Sequence, residues 1–389
     1  MRLTLIIALG AVWVSSATAD VPARPADLRS SSDVAALDFG GFDRHVFVAN
    51  RTSPEVAIID TRTDEVTGRL TLADIPHQFI ISGTRAKLVA SHLEAGTVTI
   101  FDLQKMEIDA VLELGFRPEQ LELDPSGRTF AVSSGADDRV SVISLKPVEE
   151  MFQLSGLGRP SDLLFSRDTR LLFVASGVAR RIAVIDAWTG NPLEPMALES
   201  PQASGIVRLQ SAGQLGFALH GASGEISVFD LREPHLITTL GLPGPSLAAF
   251  PTADGQQVLV PNERDQSVSV IATRPIRHLR EAARLPGAAK ISGINTGMFD
   301  SVAFALSRDP SQALVLNLDH GHADGQIALP SQPETAISAD AGRKLYVALS
   351  GSHQVAVIDM QKRALVKLID GVGREPWGVN MAGALSYCH

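Results

Sequence analysis

Cysteine is almost absent. Cys388 is the one thiol in 389 residues, so no disulfide can cross-link the chain to itself. Positive charge is outnumbered, 34 Lys and Arg against 43 Asp and Glu, for a net charge of −9. That balance argues against a nucleic-acid binder, which needs a basic face for the phosphate backbone. Helical periodicity is missing, and no stretch after the first residues reaches the roughly 20 apolar positions of a membrane helix. Catalytic motifs are missing too: there is no HExxH, no Gly-rich phosphate loop, no ordered Ser-His-Asp set and no CxxCH. The last absence excludes a covalent c-type haem.

What the chain does have begins at its start. Arg2 precedes an apolar run of about 12 residues, Leu3–Val14, and Ala17-Thr18-Ala19 gives a small-x-small cleavage pattern. Residues 1–19 therefore read as a secretory signal, with no membrane span after cleavage and a periplasmic or secreted destination. Residues 20–32, rich in Pro and Ser, read as a flexible leader. Residues 33–389 read as one domain.

That domain is a repeat. Similar six-residue apolar strands start at His45, Lys87, Thr129, Leu171, Leu215, Gln257, Val302 and Lys344, mostly 42 residues apart. A second series keeps step: VAIID, VTIFD, VSVIS, IAVID, ISVFD, VSVIA, ALVLN and VAVID. A weaker strand follows each, and a proline-marked strand precedes it, as in PHQFIIS and PWGVNMAG. Four antiparallel strands in 40–45 residues are one propeller blade. The expected fold is an all-β β-propeller of eight four-stranded blades, with seven blades as the alternative. First-strand segments number nine, Asp33–Phe39 and Pro376–Ala382 being the terminal pair. One is spare, and a terminal strand should close the ring.

The strings HVFVANRTSPEVAIIDTRTDEV and LYVAL…HQVAVIDMQKRALV, with the turn DPSGR, resemble the YVTN-type β-propeller repeat. The resemblance spans nearly the whole domain and implies fold more than chemistry. Proteins with this repeat include exported binding proteins, the haem d1 domain of cytochrome cd1 nitrite reductase with its biosynthetic relatives, and a periplasmic zinc chaperone. The eight-blade count leans towards the d1-like group.

Propeller geometry puts two sets of loops around one funnel, the usual binding site. The last residues of the second strands form one expected ring: Asn50, His92, Ser134, Ser176, His220, Asn262, Ser307 and Leu349. Residues at the proline-marked turns form another, including Asp74, His77, Arg117, Glu119, Arg159, Asp162, Glu334, Glu375 and Trp377. His77, His92 and His220 are candidate ligands for zinc or copper; the alternative is that they bond loop backbone. Arg117 and Arg159 suit a small anionic ligand; the alternative is pairing with Glu119 and Asp162. Asn50, Asn262, Glu119 and Trp377 complete the cofactor-binding set, Trp377 being as well suited to packing. Cys388 and His389 form a soft-metal pair or a frayed tail. The cluster Asp319-His320-Gly321-His322-Ala323-Asp324 falls on an outer hairpin and reads as a solvated turn. Trp188 reads as structural.

Three functions stay open. One is a binding or accessory propeller holding a metal, cofactor or periplasmic protein partner in its funnel. The others are a d1-like redox or lactonase-like metal-dependent enzyme, and an interaction scaffold.

Overall fold

The computed structural model describes residues 44–198 and 205–382. The expected signal, the leader, Asp33–Phe39 and the Cys388–His389 pair lie outside the described residues. Within them the chain forms eight four-stranded antiparallel sheets. Each of the eight second strands begins at the residue expected from the sequence.

We number the blades I–VIII around the ring. Blade I takes its three outer strands, His45–Asn50, Glu55–Asp60 and Glu65–Thr71, from the start of the described chain, and its innermost strand, Pro376–Asn380, from the end. Blades II–VIII are contiguous in sequence. Their innermost strands are Gln78–Ser82, Gln120–Leu123, Pro160–Phe165, Arg208–Ala212, Phe250–Pro251, Ala289–Gly297 and Pro333–Ala339. The C-terminal segment is thus the strand that closes the ring. No helix of the described residues is long and apolar enough to cross a membrane.

Strand alternation explains the packing. In HVFVAN, Phe47 and Ala49 join the core shared with blade II, while Val46 and Val48 join the core shared with blade VIII. Side chains two apart share a face, and both faces are buried. Among the described residues there are eight such apolar clusters, one at each blade-to-blade interface. That is why the second strands are apolar along their whole length rather than alternating. Where a ring is crowded, a small residue makes room. Gly216 faces the Phe229 ring across the sheet, and a Cβ there would come within 2.2 Å of it.

The seam between blades VIII and I is tied away from the closing strand as well. Lys344 Nζ donates to the Thr61 carbonyl and to both Asp64 oxygens, each at 2.8 Å, and the Tyr346 hydroxyl also bonds Asp64. Around the channel the innermost strands lack a backbone partner on one side, so side chains supply it. Gln78 Nε2 donates to Gln120 Oε1 (2.9 Å), and Gln78 Oε1 accepts the Leu121 N–H (2.8 Å). Asp162 accepts the Leu209 N–H (2.7 Å), Thr335 donates to the Trp377 carbonyl (2.8 Å), and Asn380 donates to the Phe79 carbonyl (3.1 Å).

Candidate functional site

Loops between second and third strands, and connections from each blade to the next, share one end of the ring. The residues expected to line this mouth divide into two groups.

The residues expected to end the second strands are buried, and in blade VII the strand runs on past Ser307 to Asp309. Asn50, His92, Ser134, Ser176, His220, Asn262, Ser307 and Leu349 are all at most 1% exposed. His92 shows why. Its Nδ1 lies 3.0 Å from the Ile75 carbonyl, which can only accept, so Nδ1 carries the proton. Nε2 then accepts from the Thr99 hydroxyl at 2.7 Å. Both nitrogens are spent, and no lone pair is left for a metal. Burial holds the ring's pKa below its ordinary value, against the pull of Ile75 and Asp74. The same seven-residue offset recurs, with His220 Nε2 on Ser227 Oγ (2.8 Å) and Asn262 Nδ2 on Ser269 Oγ (2.9 Å). Asn50 Nδ2 donates to the Glu55 carbonyl at 3.0 Å. These side chains tie the second strand of a blade to its third.

The charged residues of the mouth sit on the loops instead. His77 is exposed, its N–H bonded to the Ser91 carbonyl (2.7 Å). Its pKa is lowered, chiefly by desolvation and further by Arg117, while Glu119 and Glu94 oppose the shift. Arg117 does not pair with Glu119; its guanidinium reaches Glu94 at 2.9 Å. Glu119 instead accepts the N–H groups of Gly135 (2.9 Å) and Ala136 (3.3 Å). Arg159 is exposed, with its N–H on Asp138 (2.9 Å), and Asp162 lies 3.7 Å from Arg208. Trp377 is 6% exposed and meets the Phe79 ring edge-on at 6.2 Å, so it packs rather than offering a stacking face to a ligand.

Two clusters were not read from the sequence. The first joins blades VII, VIII and I at the mouth. Glu334, with only 10% of its side chain exposed, receives Arg308 Nη2 at 2.7 Å and Arg51 Nη2 at 3.2 Å on one oxygen. Ser350 Oγ donates to the other at 2.7 Å. The side chains of Arg51 and Arg308 remain 53% and 40% exposed. Two cations on one carboxylate leave a surplus positive charge, fixed in place and facing solvent. Next to it, the Arg51 N–H bonds the Glu375 carbonyl (3.2 Å), and the Glu375 N–H bonds His353 Nδ1 (3.1 Å).

The second cluster lies in the channel wall, where Glu122, Asp162 and Arg208 come from the innermost strands of blades III, IV and V. Burial drives the Glu122 carboxyl well above the ordinary value, and Asp162 adds to the rise. Asp162 is raised as well, again by burial, with Arg208 and the Leu209 N–H opposing.

Among the described residues no three His, Cys, Asp or Glu side chains stand close enough to hold a metal ion. On the outer hairpin His322 pairs with Asp324 (2.6 Å), whose other oxygen receives Arg363 (2.6 Å) and Asn317 (3.0 Å). Arginine there occupies the place a cation would take.

No family model matches the chain, and no curated protein matches it. Solved structures do resemble its fold. A dihydro-haem d1 dehydrogenase, NirN, in complex with DHE aligns with TM-score 0.72 at 13% identity, covering 87% of this chain and 75% of that one. AztD from Citrobacter koseri aligns with TM-score 0.66 at 14% identity over 89% and 99%. Hydrazine synthase from Kuenenia stuttgartiensis aligns with TM-score 0.54 at 17% identity over 73% and 95%. At these identities the likeness is one of architecture, and the chain is an eight-bladed β-propeller.

Proposed function

We propose that this chain is an exported binding or accessory propeller whose channel mouth holds an anionic, carboxylate-bearing ligand. The observation that carries the reading is the Arg51–Glu334–Arg308 cluster. A buried carboxylate orients two half-exposed arginine side chains from different blades, and the N–H groups they do not spend on Glu334 or the Pro333 carbonyl are available to an anion. Export rests on the composition of residues 1–19. The mouth also offers Arg117 and Arg159, so a ligand broad enough to span it, a tetrapyrrole carboxylate among them, would meet cations on more than one side. A metal held by His77, His92 and His220 fits less well, because both nitrogens of His92 are engaged.

Calorimetric titration with citrate and with protoporphyrin IX tests the reading, with Zn²⁺ as the competing probe. Binding of a carboxylate probe should weaken roughly 10- to 100-fold in Arg51→Gln and Arg308→Gln, the loss expected for hydrogen bonds to a charged group. Carboxylate binding indifferent to both substitutions, or Zn²⁺ binding abolished by His77→Ala, would reject it.

A further inference from the structure

The face of the ring opposite the mouth carries the turns between first and second strands and between third and fourth strands. Three of its turns expose large apolar side chains: Trp188 (52%) on blade IV, Ile276 (47%) on blade VI and Phe299 (104%) on blade VII. Phe299 is not on a loose loop. Met298, Phe299 and Asp300 are successive left-handed residues, with φ of 53°, 58° and 62°, a conformation that side-chain-bearing residues avoid. The turn is pinned by Asp300, whose carboxylate accepts the N–H groups of Ala253 (3.1 Å) and Asp254 (2.9 Å) on blade VI. Thr296 donates to the same carboxylate. The backbone thus spends its contacts on holding a phenyl ring out in solvent.

A basic segment adjoins it. Thr273 bonds the same blade VI turn through the Gln256 and Gly255 carbonyls, at 3.0 and 2.8 Å. The chain then runs out as Arg274-Pro275-Ile276-Arg277-His278-Leu279-Arg280. Arg274, Arg277, His278 and Arg280 are exposed, and none forms an ion pair among the described residues. Carboxylates of the adjoining turns and strand are committed elsewhere: Asp254 and Asp300 to turn N–H groups, Glu281 to Arg284 at 2.7 Å.

We propose that this face docks on an anionic lipid bilayer, leaving the channel mouth open to solution. Separate apolar tips on one face of a disc would need separate matching pockets in a protein partner. A bilayer surface takes them without any pocket, and its phosphates suit arginines that lack carboxylate partners. Charge complementarity is local, since the whole chain is at −9, so binding needs close approach rather than long-range steering.

Trp188 supplies the readout. Trp377 is already buried and Trp13 falls within the expected signal, so a blue shift of tryptophan emission from the exported chain on adding vesicles reports the exposed face. The protein purified after export should sediment with vesicles of equal parts phosphatidylglycerol and phosphatidylcholine, and its emission should shift. The triple variant Arg274→Gln, Arg277→Gln, Arg280→Gln should partition roughly 100-fold less, given the usual contribution of each cation near an anionic surface. Phe299→Ser should lower partitioning roughly tenfold or more. All these positions are exposed, so the variants should keep the parent's unfolding temperature. Absence of partitioning, or partitioning equal in parent and variants, would overturn the proposal, as would equal binding to pure phosphatidylcholine.

Discussion

Two rings of polar side chains lie within a few residues of each other, and they differ in whether they are buried against their own blade or open to solvent. At the ends of the second strands, His92 and Asn262 are buried and bonded to the third strand of their own blade. At the mouth, Arg51 and Arg308 crowd one carboxylate and keep N–H groups free in solvent. Residue type alone does not separate the rings. What separates them is whether the backbone turns a side chain into the sheet or out to solvent.

The largest effect should come from the buried ring. His92→Leu would leave the Thr99 hydroxyl and the Ile75 carbonyl without their partner in a dry setting, a cost of about 2–4 kcal/mol. Chemical unfolding would show it as a lowered midpoint at unchanged slope. A variant as stable as the parent would mean that His92 is held for ligand rather than fold.

An intermediate effect, with a pH signature, should come from Glu122. Its carboxyl is raised in the folded state, so the native protein holds that proton more tightly than the unfolded chain does. The contribution is complete below the ordinary value of 4.5 and is lost as pH rises through the folded value. Glu122→Gln removes that loss. The variant should match the parent below pH 4.5 and exceed it increasingly on the way to neutrality, as thermal unfolding across pH would record. An advantage that instead shrinks as pH rises would contradict the burial argument.

The smallest effect should come from the mouth. Arg308→Gln removes one exposed partner of Glu334 and leaves Arg51 and Ser350 in place, so stability should fall by less than about 1 kcal/mol. A loss near that of His92→Leu would make the mouth cluster a structural clamp and erase the contrast.

Architecture was legible in the sequence because a buried two-faced strand leaves a dense apolar signature, repeated eight times at near-constant spacing. Of the two terminal first-strand segments, Pro376–Asn380 closes blade I, while Asp33–Phe39 lies outside the described residues. The site was legible only in part. His77, Arg117, Glu119 and Arg159 do sit on mouth loops, yet Arg117 took a partner other than the expected Glu119. His92 and Asn262 end their strands at the mouth, but which way a terminal side chain turns depends on the pleat and on the hydroxyl seven residues later. Thr99 and Ser269 could have given the signal. Glu334 was read as a mouth residue without its arginines, because Arg51 lies 283 positions away and meets it only when the ring closes. Glu122 and Arg208 were missed because a polar residue in a short inner strand looks like ordinary alternation. Trp188, read as structural, is half exposed.

The contrast between the buried and the solvent-facing polar groups is tested most directly by anomalous diffraction from crystals soaked separately in selenate and in zinc. Selenate should give a peak within hydrogen-bonding distance of both Arg51 and Arg308, and zinc should give none at His92 or His220. A zinc peak bonded to His92, with no selenate between the two arginines, would contradict it.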